Sequence, residues 1–163
     1  MRNLVAFLLL LLSSACLYAQ GAEPDWKKLD FLIGKWVAVA SETPSGAGQG
    51  EATFDFQLNK RIMVRRSYAQ YSSGPRHDDL LIIYIEDTPR AIYFDSEGHV
   101  IRYKIAFPAA ESVVFESDGT QPGPRYRLSY WMDKPSLKGK FEIAPPGAGS
   151  EYKTYLTWTS RKP

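Results

Sequence analysis

The sequence predicts an all-β fold: a single ten-stranded antiparallel up-and-down β-barrel with a short N-terminal capping helix. Three observations lead there. Beyond Trp36, apolar and polar residues alternate with a period of two, as strands with one wet face require. Clusters of Pro, Gly, Ser and Asp recur at short spacings and cut this alternation into segments of strand length. No helical stretch long enough for a crossover intervenes, so each strand is expected to pair with its neighbour in sequence. With 163 residues there is room for one domain, and no linker is long or polar enough to divide it.

The first element is a targeting segment. Arg2 supplies a positive start, residues 4–12 are an unbroken nine-residue apolar run, and Ser13, Ser14, Ala15 and Ala19 offer small residues for cleavage. This is the layout of a secretory signal peptide over residues 1–19, with a run too short to span a bilayer. The barrel domain is then residues 20–163, and a secreted or periplasmic location is expected. Ser13-Ser14-Ala15-Cys16 also resembles a bacterial lipobox, although Ser13 stands where Leu is usual. Cleavage after Ala19 would instead place the large Leu17 where a small residue is preferred. A membrane partner is expected only if Cys16 is lipidated. Otherwise the mature domain has no cysteine, and packing must hold it together without disulfides.

Next, Glu23, Pro24 and Asp25 open a short helical pattern in which Trp26, Leu29 and Ile33 share a face and Gly34 ends it. Strands are expected to start near Trp36, Gly50, Arg61, Asp79, Arg90, Val100, Ser112, Arg125, Ser136 and Tyr152. Their faces follow from alternation. Ala52, Phe54, Phe56 and Leu58 oppose Thr53, Asp55 and Gln57; Ile101, Tyr103, Ile105 and Phe107 oppose Arg102 and Lys104; Val113 and Phe115 oppose Ser112 and Glu116.

Phe31-Leu32-Ile33-Gly34-Lys35-Trp36, a short helix running into Gly-x-Trp at the first strand, resembles the opening of the calycin superfamily, which includes lipocalins, fatty-acid-binding proteins and haem-binding nitrobindins. Tyr93-Phe94-Asp95-Ser96-Glu97-Gly98-His99 is similar to segments of exported bacterial calycin-like proteins of unknown function. The resemblance implies that Gly34, Trp36 and Arg161 are structural, with the Arg161 guanidinium packed over the Trp36 indole at the base of the barrel. It also raises haem as an alternative, with His77 or His99 as ligand. Nitrobindins carry their histidine nearer the C-terminus, however, and no histidine follows His99.

Composition narrows the function. Charged residues at 23% and aromatics at 13% suit a core-forming chain, and Lys+Arg 20 against Asp+Glu 18 gives no footing for a nucleic-acid partner. Two histidines and one cysteine argue against a histidine/cysteine zinc site, and no metal or cofactor is expected. His77 lies beside Asp78 and Asp79, whose side chains cannot all converge on one ion, so it reads as a solvated turn. Gly46-Ala47-Gly48-Gln49-Gly50 precedes a strand instead of joining strand to helix, so it reads as a flap at the barrel mouth and not as a phosphate loop. No nucleophile elbow or other catalytic motif occurs, and the chain leans away from being an enzyme.

A ten-stranded barrel leaves interior room for a small ligand. The candidate polar anchor is Arg66, in phase with Ile62, Val64 and Tyr68; the opposite phase is Met63, Arg65, Ser67 and Ala69. Among ten tyrosines, Tyr68, Tyr84, Tyr93, Tyr103 and Tyr130 lie on strands and are the candidate lining. The expectation is an exported protein that binds a small hydrophobic or amphipathic molecule, with Arg66 selecting an anionic or polar head. A non-catalytic envelope module with a filled barrel is the other alternative.

Overall fold

In the computed structural model, the described residues are 25–42, 48–72, 74–120 and 122–163. The expected signal segment at 1–19, Cys16, and the first part of the expected flap lie outside them. The strands are β1 (Gly34–Glu42), β2 (Gly48–Gln57), β3 (Ile62–Tyr71), β4 (His77–Ile85), β5 (Pro89–Asp95), β6 (Val100–Ala106), β7 (Ser112–Ser117), β8 (Arg125–Asp133), β9 (Ser136–Ala144) and β10 (Lys153–Arg161). Each pairs antiparallel with the next, and β10 returns to β1, closing a ten-stranded barrel. Closure leaves no free sheet edge. Gly48 and Gly50 belong to β2, so that part of the expected flap is strand. Among the described residues no helix is long and apolar enough to cross a membrane.

The predicted faces of β2, β6 and β7 hold where one phase is plainly apolar: Phe54, Ile101, Tyr103, Val113 and Phe115 are all buried. Leu58 is an exception, 71% exposed. Strand β2 ends one residue earlier, and Leu58, Asn59 and Lys60 turn with positive φ, where alternation has no meaning. The expected helix also differs. Lys27–Leu32 is a 3-10 helix, not an α-helix. Its three-residue period buries Trp26, Leu29 and Leu32, in place of the Ile33 that an α-helical period would select. Trp26 donates its indole N–H to the Lys60 carbonyl at 2.7 Å, tying this segment to the β2–β3 turn.

At the end of the barrel where β1 begins, Gly34 adopts φ +109, a conformation that favours glycine. Trp36 is 2% exposed and donates its indole N–H to Leu32 O at 2.7 Å. The expected Arg161 contact is not made. Arg161 pairs with Val37, one residue out of step with Trp36, so it faces outward and its Nε reaches Ser136 Oγ at 3.4 Å. The cation over the indole is Lys162, whose Nζ stands 5.2 Å from the ring centroid.

The interior has two different halves. Trp36, Phe54, Met63, Ile83, Val113, Phe115 and Leu137 face inward, are at most 2% exposed and belong to one apolar cluster, against which Ala52, Phe56, Ile85, Ile105 and Met132 pack partly buried. Toward Tyr71, His77 and Tyr126, at the other end, most inward positions are only partly buried, with Ile101 and Ser117 the buried exceptions.

Candidate functional site

The site begins with the phase of β3. Its neighbours across the ladder are β2 and β4, where Phe54 and Leu81 are fully buried and both pair with Arg65. The inward phase of β3 is therefore Met63, Arg65, Ser67 and Ala69, and a guanidinium enters the barrel at Arg65, which is 4% exposed. A buried cation is tolerated only when paired and hydrogen-bonded. Arg65 donates from Nη2 to Asp79 Oδ1 and from Nη1 to the Tyr130 hydroxyl, while Ser67 Oγ donates to Asp79 Oδ2 at 2.7 Å. The guanidinium carbon also lies 5.9 Å from the ring centroids of both Tyr93 and Tyr130. Burial works against its charge, but Asp79 above all, then Tyr130 and Tyr93, outweigh that and raise its pKa, so Arg65 stays a cation. Its Nε is buried and has no hydrogen-bond partner among the described residues.

Tyr130 occupies the barrel centre, edge-on to Phe54 at 5.6 Å, Phe115 at 6.4 Å and Trp158 at 5.5 Å. Trp158 lies across Gly139, where a Cβ would stand 2.0 Å from the indole Cε2, so this indole position requires glycine beneath it. On the open side of the ion pair the inward wall is partly exposed: Ser67, Ala69, Tyr93, Tyr126, Phe141, Leu156 and Trp158. Tyr126 and Phe141 stack at 5.9 Å with 10° between their planes. The result is a partly exposed barrel end, termed the cup, in which Tyr93, Tyr126, Phe141 and Trp158 pack against the apolar cluster above a polar floor. Burial, the largest cause in each case, pushes the hydroxyls of Tyr93, Tyr103 and Tyr130 above the usual phenol range, so they stay neutral donors and acceptors.

A polar cluster stands at the rim. His77 Nε2 is 3.0 Å from the Tyr93 hydroxyl and 3.7 Å from Asp79 Oδ2, while its Nδ1 is 3.0 Å from Glu97 Oε1. His99 Nδ1 is 2.8 Å from Asp95 Oδ2, and Asp95 Oδ1 accepts the backbone N–H groups of Glu97 and His99. Burial alone would raise the Asp95 pKa; the hydrogen bonds from His99 reverse this and hold it below the usual carboxylate range. His77 thus meets acids that lie about one strand away in the chain, and not only the adjacent Asp78 and Asp79 that the sequence reading considered.

Of the residues singled out from sequence, Tyr93, Tyr103 and Tyr130 converge on Arg65. Arg66 does not; it is exposed on the outer face, opposite Thr53 and Leu80. Tyr68 shares that face, under the Arg76 guanidinium at 4.0 Å, and Tyr84 pairs with Ile62 and Arg90 in the same outward phase. Arg66 and Tyr68 line a shallow open hollow on the outside of β2–β5. Arg65, Asp79 and Ser67 were missed. Their signal was present on β4, where Asp79 interrupts the phase of Leu81 and Ile83 with a charge that needs an interior partner.

No protein-family model matches this sequence, and no curated protein matches it. The crystal structure of Rv2717c from M. tuberculosis superposes with a TM-score of 0.60 at 12% identity, over 86% of this chain and 98% of that one. At that identity the likeness is one of fold, and the closed ten-strand barrel fits a calycin-like architecture. A structure of EF1p2_mFAP2b bound to DFHBI covers 83% of this chain and 97% of its own, at 13% identity and a TM-score of 0.44, too loose a match to argue from.

Proposed function

We propose that this protein is exported through its N-terminal signal segment and binds a small amphipathic molecule in the open half of the barrel. The observation that carries this reading is the set of partly exposed aromatic and aliphatic inward residues at this end, above a buried guanidinium whose Nε has no partner among the described residues. An apolar tail against Phe141, Leu156 and Trp158 would supply affinity by burial, and the polar end would be fixed by Arg65 Nε and the neutral phenols. The sequence expectation of an anionic or polar head narrows to a polar, uncharged one. Asp79 already balances the Arg65 charge, so a second anion would be buried without a free cation, and the floor suits an uncharged acceptor such as a carbonyl or hydroxyl.

Native mass spectrometry of the purified chain tests this, with a matched pair of ligands: a monoacylglycerol and the fatty acid of the same chain length. The wild type is expected to hold the uncharged amphiphile in preference to the acid. Asp79→Asn frees the Arg65 charge and is expected to shift preference toward the acid. A bare protein mass after incubation with both ligands and with a mixed lipid extract would overturn the binding reading. Preference of the wild type for the acid would overturn the uncharged head alone.

A further inference from the structure

We propose that the rim of the barrel is a binding site for a divalent transition-metal ion of the zinc type, held by His77, Asp95, Glu97 and His99. The inference stands apart from the amphiphile reading; of the residues in that site it uses only Tyr93. The chain has only two histidines, from β4 and from the turn after β5, and the fold sets His77 beside Glu97 and His99 beside both Asp95 and Glu97. One ligand atom each from His77, Asp95 and Glu97 lies within 4.8 Å of the others. The His77 Nδ1 to Glu97 Oε1 distance is 3.0 Å, His99 Nδ1 to Asp95 Oδ2 is 2.8 Å, and His99 Nδ1 to Glu97 Oε2 is 3.9 Å. Donors around one zinc at its usual bond lengths stand roughly 3.3–3.5 Å apart, which these three separations approach; the preformed group is His77, Asp95 and Glu97, and His99 must swing in to complete the set of four. Two imidazole nitrogens with two carboxylate oxygens is a donor set suited to zinc and to its first-row neighbours, and not to magnesium or calcium, which take oxygen alone.

The surrounding contacts orient these groups as a metal site requires. His77 Nε2 meets the Tyr93 hydroxyl at 3.0 Å, on the far side of the ring from Glu97. The tautomer that donates Nε2–H to this phenol leaves the Nδ1 lone pair facing the carboxylates, the arrangement by which an outer hydrogen bond fixes a ligating histidine. Asp95 Oδ1 is held by two backbone N–H groups at 3.0 and 2.9 Å, which leaves Oδ2 for the ion. Gly98, with φ +90, reverses the chain between Glu97 and His99 so that both side chains return to one side. The ion pairs that Asp95 and Glu97 make go to the two imidazoles, and a bound cation would replace the protons shared in them.

The test is calorimetric titration of the chelator-stripped full chain with zinc chloride, magnesium chloride and calcium chloride in turn. The expected result is one zinc per chain at micromolar affinity or tighter, with no heat from magnesium or calcium. His77→Gln and His99→Gln are each expected to weaken zinc by about 10–100-fold, and Tyr93→Phe by about 10-fold through lost orientation of His77. Cobalt substituted for zinc would add the strong visible bands of a four-coordinate site, and these would vanish in His99→Gln. His99 is 53% exposed, so its replacement leaves the core intact and keeps the comparison clean. Millimolar zinc binding only, or full affinity in both histidine variants, would overturn the proposal.

Discussion

The two halves of this barrel are built from the same strands and the same alternation, yet one is a core and the other a cup. At the Trp36 end the inward positions are Phe54, Met63, Ile83, Val113, Phe115 and Leu137, large apolar side chains with no polar atoms to satisfy. At the His77 end the same strands carry Ser67, Ala69 and Asp79, small or polar side chains that are only partly buried. Arg65 marks the boundary: its guanidinium needs Asp79, Tyr130 and two aromatic faces simply to be tolerated. Whether such a barrel is filled is therefore decided by a few side chains on each strand and not by strand number.

The largest expected effect comes from breaking that boundary. Asp79→Leu strands a buried cation and should cost about 3–5 kcal/mol of folding stability. The double variant Arg65→Met/Asp79→Leu turns the floor into apolar surface like the closed half, and should be neutral or up to about 4 kcal/mol more stable than the wild type. Urea unfolding of the three proteins checks this, and a double variant as unstable as the single one would mean that the ion pair is needed for the fold itself.

A second comparison reads the halves directly. Leu81, fully buried beside Arg65, should cost about 3 kcal/mol on change to alanine, because little can collapse into the space it leaves. Ile143, inward-facing but partly exposed near the rim, should cost only about 1 kcal/mol, since water already reaches it. Equal losses in chemical denaturation would show that the rim half closes in solution.

Acid should separate the halves as well, with a smaller effect. Asp118 and Glu142 lie toward the rim. The hydrogen bond from Arg127 first, then Lys140, lowers the Glu142 pKa against burial, and for Asp118 the Thr120 contacts outweigh burial in the same direction. A carboxyl whose pKa is lower folded than unfolded contributes stability that is full above its ordinary value, about 3.9–4.3, and is lost as pH falls through the folded value. Amide exchange at rising acidity should therefore quicken first in β8 and β9 near Glu142, and Glu142→Gln should flatten that pH dependence. Uniform loss of protection across both halves would contradict the assignment.

How much of this was legible in the sequence differs from strand to strand. On β2, β6 and β7 one phase is apolar and the other charged, so the inward face and most of the core were readable. On β3 both phases are mixed, and Ile62, Val64 and Tyr68 made the outward phase look like the inward one; Val64 is indeed buried, at 4%, although it faces out. The site needed register, which a single strand does not carry. Arg65 meets Asp79 only through the pairing of β3 with β4, and His77 meets Glu97 only because β5 turns back beside β4. Tyrosine enrichment was visible, but strand preference alone accounts for Tyr68 and Tyr84.

The smallest expected effect tests the closed end and the one place where neighbouring cations were confused. Arg161 and Lys162 are adjacent, but strand phase sends Arg161 outward opposite Val37, while Lys162, beyond the end of β10, bends back over the Trp36 indole. Gly34 lies beside the same lysine, and its φ of +109 is what favours glycine there. Lys162→Ala should therefore cost about 0.5–1 kcal/mol and alter the near-ultraviolet signal of Trp36. Arg161→Ala removes a surface charge with one long hydrogen bond and should stay within about 0.5 kcal/mol of the wild type. Reversal of that order would place the guanidinium on the indole after all and shift the phase of β10 by one residue. That shift would also turn Trp158 out of the cup, so the smallest measurement bears on the wall of the candidate site.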